Sequence, residues 1–158
     1  MHKTKIDIPA ANRERLIGLL NQHLASGIDL MMQCKQAHWN VKGPNFMALH
    51  ELFDQVATEL TAHVDVMAER ITTLGGVAEG TVRIAAQKSA LPEYPLEISA
   101  GQAHVEALAS ALAAFGGSVR NAIEAATEQK DADTADLFTE ISRAIDKSLW
   151  FVEAHLQT

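Results

Sequence analysis

The chain holds one cysteine, Cys34, among 158 residues. A single thiol cannot close an internal disulfide, so packing alone must hold the fold, as suits a reducing cytoplasm. Cys34 stands among Met31, Met32 and Ala37 in a helical pattern, which predicts a buried structural thiol rather than a nucleophile. No apolar run reaches about 18 residues, so no membrane span is expected. The opening MHKTKIDIPAANRERL lacks the apolar core of a secretory leader, and a cytoplasmic location is expected. Positive charge is scarce: 13 Lys+Arg face 20 Asp+Glu, a formal net charge of −7. Such a surface repels phosphate backbones unless cations are concentrated locally, and it attracts metal cations. No repeat or low-complexity tract occurs, and a 47% hydrophobic content excludes a disordered chain or a fibre.

What remains is helical periodicity, broken in few places. Of four prolines, Pro44, Pro92 and Pro95 lie outside the strongly periodic segments. A first helix is expected from about Ala11 to Trp39, with Leu16, Leu20, Leu24, Met31 and His38 on its apolar stripe. A second runs from Asn45, read as its N-cap, to Leu74, where Gly75-Gly76 supply a left-handed stop. Residues 75–98 form a connection too long to be bare loop in a compact domain, so a short helix is predicted over Val82–Ser89. A third long helix starts at Ser99 as N-cap and ends near Thr127; its Gly116-Gly117 pair predicts close packing of a neighbour. A fourth runs from Asp131–Asp133 to about Leu156. Short links make helices one and two, and three and four, antiparallel neighbours, while the long link can cross the whole bundle. The fold class is therefore all-α, a four-helix bundle of ferritin-like topology with one long crossover. Residues 1–10 are expected to be a flexible N-terminal tail and 11–158 the single domain.

The second helix carries the chemistry. His50, Asp54, Asp65 and Glu69 point to roughly 0°, 40°, 60° and 100° on a helical wheel, a single stripe. Leu49, Phe53, Val56, Leu60, Met67, Ile71 and Leu74 point to roughly 240–300°, so the stripe faces outward from the core. Histidine with carboxylate suits a divalent first-row metal such as iron. An outward stripe of this kind is otherwise a solvated face, but such a face usually mixes in Lys and Arg, and none occurs between Glu51 and Glu69. About 16 Å of helix rise separates Asp54 from Asp65, too far for one ion. A two-fold axis across the helix would lay the His50–Asp54 end of one chain beside the Asp65–Glu69 end of another.

Di-iron bundles place Glu-x-x-His pairs inside the bundle. None is present: Glu59 and His63 are four apart, Glu153 and His155 two apart. Three segments resemble the Dps family, DNA-binding proteins from starved cells within the ferritin superfamily: KQAHWNVKGPNFMALHELFD (35–54), HVDVMAERITTLGG (63–76) and DKSLWFVEAHLQ (146–157). The resemblance spans roughly residues 10 to 157. It implies a hollow homo-dodecamer that oxidises Fe(II) and stores ferric mineral, with hydrogen peroxide preferred over dioxygen as oxidant. It also implies ferroxidase centres between two-fold-related subunits, holding at most two irons each. Carried over by position, His38, His50 and Asp54 come from one chain, Asp65 and Glu69 from the other. Haem is not expected. The missing Glu-x-x-His pairs and the missing C-terminal fifth helix count against a conventional ferritin or a haem-binding bacterioferritin.

Each residue has a plainer reading as well. His38 ends an apolar stripe and is otherwise a satisfied core histidine. Glu69, beside Arg70, is otherwise part of a surface ion pair; the preferred reading makes it a terminal or bridging ligand. Trp39 is a packing indole or an electron donor when one iron is bound. His63 points near the core side and is read as structural. His2, His23, His104 and His155 lack a carboxylate constellation and are not proposed as ligands. Asp131, Asp133, Asp136 and Glu140 open the fourth helix as cap and first-turn acids; the resemblance implies a three-fold iron-entry pore lined by Asp131, Asp136 and Glu140. For DNA, the chain offers Lys3 and Lys5 opposed by Asp7, and Arg13 and Arg15 beside Glu14. Twelve copies multiply weak contacts, yet binding through so few cations fades at physiological salt. The competing reading is a nucleoid-compacting scaffold with minor iron chemistry.

Overall fold

A computed structural model describes residues 1–157. Heptad-spaced leucines and aromatics build five helices: α1 (Ala10–Asn40), α2 (Phe46–Thr73), α3 (Val82–Lys88), α4 (Gly101–Glu128) and α5 (Ala132–Glu153). No strand occurs among the described residues. α1 packs along α2 and α4 along α5, and the crossover carrying α3 returns along α1. The stripes meet in one core where Phe53, Phe115, Phe138, Leu20, Leu60, Met67 and Leu108 are fully buried. Each such side chain contributes about 1.5–3 kcal/mol relative to exposure. His23 joins them as a structural ring: its Nδ1–H donates to the Leu19 carbonyl at 2.8 Å, Ser118 Oγ donates to Nε2 at 2.9 Å, and Phe138 meets it edge-on at 5.0 Å. At Gly116 a Cβ would lie 3.2 Å from Ile145, so the absent side chain lets α4 and α5 close together; Gly117 faces open space.

The helix ends differ from expectation in instructive ways. Neither Asn45 nor Ser99 caps a helix through its side chain. The backbone does this work instead: Lys42 N–H donates to the Ser99 carbonyl at 2.9 Å, and Gly101 N–H donates to the Lys42 carbonyl at 3.1 Å. That two-bond bridge pins the start of α4 to the α1–α2 turn. The chain leaves α2 through Gly75 at φ +90, as the Gly-Gly pair predicted. α5 stops at Glu153, short of Leu156, because His155 and Leu156 tighten into i→i+3 bonds.

The crossover is held by polar side chains spaced along one face of α1. Asn21 donates to the Val77 carbonyl at 3.1 Å and accepts from Glu79 N–H at 2.9 Å. Ser26 accepts from Ala90 N–H, Gln33 donates to the Pro92 carbonyl, and Asp29 accepts from Ser89 Oγ. The N-terminal segment also has fixed contacts. His2 N–H donates to the Gly75 carbonyl at 2.7 Å, and Arg13 donates to the Ile8 and Leu74 carbonyls. The segment read as a flexible tail thus lies against the C-terminal end of α2.

Candidate metal centre

Two helices and a tight turn build the histidine end. His38 sits in the last turn of α1 and His50 in the second turn of α2, so the turn folds one ring onto the other. The rings stack with centroids 3.8 Å apart and planes 22° from parallel. Their hydrogen bonds are reciprocal: His38 Nδ1–H donates to the His50 carbonyl and His50 Nδ1–H donates to the His38 carbonyl, both at 2.8 Å. A proton committed to Nδ1 leaves each Nε2 as a lone-pair donor, the tautomer a metal requires. Asp54 follows one turn after His50, and together with His38, Met47, Glu51 and Gln55 these residues line an open depression.

The sequence reading did not include Lys35. Its Nζ donates to Asp54 Oδ1 at 2.6 Å. This hydrogen bond, aided by the charge of Lys35, holds the Asp54 carboxyl below its ordinary value. Lys35 precedes His38 by three residues and so shares its helix face; that spacing was the available signal. The same ammonium lies 5.7 Å from the Trp39 ring centroid, and Trp39 is 59% exposed in the protomer.

At the far end of α2, Asp65 and Glu69 are exposed on the same outer face, opposite the buried Leu60, Met67 and Ile71. Among the described residues no ion pair holds either of them. Arg70 turns away from Glu69 to Asp131 at 2.8 Å. Asp65 borders a shallow depression with Ile28, Thr58, Ala62, Ala68 and Gly80. His63 is half-buried; burial lowers its pKa, while Glu140 and Glu59 act in the opposite direction. Among the described residues, no three His, Cys, Asp or Glu side chains converge as one ion would require. Within one chain the His38–His50–Asp54 cluster and the Asp65–Glu69 pair thus stay apart, at opposite ends of α2.

The acids of α5 divide. Asp136 and Glu140 are exposed, whereas Asp131 is 3% exposed and spends both oxygens on Arg70 and Thr134. Of the cations considered for phosphate contact, Lys3, Lys5 and Arg15 are exposed, while Arg13 is engaged with backbone carbonyls.

A family model described as a ferritin-like domain matches residues 17–158. The chain is 46% identical over 156 residues to the DNA protection during starvation protein of Agrobacterium fabrum, covering 99% of this chain and 96% of that protein. A solved Dps from Mycobacterium smegmatis superposes with a TM-score of 0.94 at 31% identity, over 100% of this chain and 96% of that one. A Dps protein of Vibrio cholerae O1, described as a member of a broad superfamily of ferritin-like diiron-carboxylate proteins, gives 0.91 at 25% identity, over 99% and 98% of the two chains.

Proposed function

The chain belongs to the ferritin-like family, among its Dps proteins, and from that premise we propose that it oxidises Fe(II) at centres completed by two protomers and stores the ferric product in a hollow dodecameric shell. The observation that carries this reading is the pair of stacked imidazoles with both Nε2 atoms free beside Asp54, on a chain whose remaining acidic ligands, Asp65 and Glu69, lie at the other end of the same helix. A two-fold partner antiparallel to α2 supplies the missing half to each end.

Iron is the substrate. His38 Nε2 of one subunit, with Asp65 and Glu69 of the partner subunit, makes the tighter position; anionic oxygen favours the ferric product. His50 and Asp54 hold the second ion, directly or through water. Lys35 competes there, because its ammonium already occupies Asp54 Oδ1, which leaves Oδ2 to the second ion unless Lys35 is displaced. Few protein ligands leave coordination positions for the oxidant. Hydrogen peroxide takes two electrons and two protons to become two waters, and a pair of Fe(II) ions supplies both electrons in one encounter. No one-electron oxygen radical is then released.

Asp136 and Glu140 focus cations toward the interior where three subunits meet; Asp131 instead ties α5 to α2. Protection of DNA follows from removing iron and peroxide together. With Arg13 engaged and a net charge of −7, phosphate contact is secondary.

Mixed shells test the shared centre. His50→Ala and Asp65→Ala chains, each impaired alone, are co-assembled at equal ratio. Half the two-fold dimers are then mixed and each keeps one intact centre of two, so the initial rate of ferric product formation returns to about a quarter of wild type. A rate no higher than the mean of the two parent shells contradicts the proposal.

A further inference from the structure

One buried polar pair has no part in the iron centre as described. Tyr94, in the crossover, and His104, in the first turns of α4, are both buried, and Tyr94 Oη lies 2.5 Å from His104 Nδ1. His104 is 1% exposed, and among the described residues its Nε2 has no hydrogen-bond partner. Burying such a group in an apolar core is costly, and orphaned polar atoms are rare enough to call for a reason. The Asn40 backbone carbonyl, at the C-terminal end of α1, favours the protonated ring without forming a full bond to Nε2 at rest. A helix C-terminus stabilises a cation. Asn40 follows the candidate ligand His38 by two residues, about 3 Å of helix rise.

We infer that Tyr94 and His104 form a proton-coupled electron donor that supplies the second electron when a peroxide meets a single ferrous ion. This rests on the iron-oxidising reading above. The peroxide accepts two electrons and two solvent protons and leaves as two waters. Fe(II) gives one electron and becomes Fe(III). Tyr94 gives the other; its phenolic proton crosses the 2.5 Å bond to His104 Nδ1, leaving a neutral phenoxyl radical and an imidazolium facing the end of α1. At rest both groups are neutral: burial, with Cys34 nearby, pushes the Tyr94 phenol up, and burial pushes the His104 imidazolium down. Electron loss makes the phenol a strong acid, so the proton moves only with the electron. The radical then rests in the protein interior, away from solutes that an oxygen radical would attack.

Tyr94 is the only tyrosine in the chain, so a tyrosyl radical has one source. Anaerobic shells loaded with one Fe(II) per centre are mixed with hydrogen peroxide and freeze-quenched, and ferric iron and radical are measured in the same samples by absorbance and electron paramagnetic resonance. The expected result is ferric iron with a tyrosyl signal that narrows when ring-deuterated tyrosine is incorporated and is lost in Tyr94→Phe. His104→Gln, which keeps a hydrogen-bond acceptor but is no base, lowers the radical yield; an undiminished yield overturns the role of His104. Ferric iron without a tyrosyl signal overturns the inference and leaves the iron reading intact. Absence of ferric iron overturns both.

Discussion

Asp131 joins two helices with one carboxylate. It caps α5 by accepting from Thr134 N–H at 3.3 Å and takes two bonds from Arg70 Nη2 of α2, each at 2.8 Å. Burial would raise this carboxyl, but the Thr134 and Arg70 bonds outweigh it and hold the pKa below the ordinary value. A depressed folded-state pKa stabilises the fold above the unfolded value of about 3.9 and is lost as pH falls through the folded one. Asp131→Ala removes the two charged bonds but leaves Arg70 its bond to Thr134 Oγ1 and its contact with Asp133, so a loss of about 1.5–3 kcal/mol is expected. Thermal unfolding should fall by several degrees, and its decline below about pH 4 should flatten in the variant. A shift of less than a degree contradicts the assignment. The cap at Asp131 could be read from sequence because Thr134 is three residues away. Arg70, 61 residues distant, could not, since nothing local selects it. The same contrast separates the His50–Asp54 pair, visible at helical spacing, from Lys35, which reaches Asp54 from another helix.

Among the elements, the crossover depends most on distant partners. Three of its anchors, Asn21, Ser26 and Gln33, are buried polar residues on α1, and each offers a side chain to crossover backbone. Asn21→Ala removes two such bonds and leaves the Val77 carbonyl and Glu79 N–H unmatched. The expected cost is about 2 kcal/mol, with faster amide hydrogen exchange confined to residues 77–90. Exchange that speeds uniformly along the chain would contradict a local anchoring role. The long helices were readable because 3.6-residue periodicity is a property of each segment alone. Asn45 stands at the N-cap of α2 as read, without a side-chain bond, whereas the cap of α4 falls at Ala100 rather than Ser99, because the Lys42–Ala100 bridge joins segments nearly sixty residues apart and no local pattern announces it. Likewise the N-terminal segment reads as a tail by composition, while its docking depends on the carbonyls that α2 exposes at Leu74 and Gly75.

At the scale of the whole molecule, the outward His and carboxylate stripe of α2 bears on assembly. The outward direction of His50, Asp54, Asp65 and Glu69 was apparent from the wheel, and α2 does present them away from its buried face. Which surface of a second subunit covers that stripe is not written in one chain's periodicity. The proposed centre supplies the answer: across a two-fold axis the His50–Asp54 end of one α2 would meet the Asp65–Glu69 end of the other. Crystals of the assembled shell, soaked anaerobically with Fe(II) and measured at the iron absorption edge, test this most directly. Anomalous density is expected at the subunit seam, bounded by His38, His50 and Asp54 of one protomer and by Asp65 and Glu69 of the partner subunit. Density confined within a single bundle, beside Glu59 and His63, with the seam empty, contradicts the shared centre.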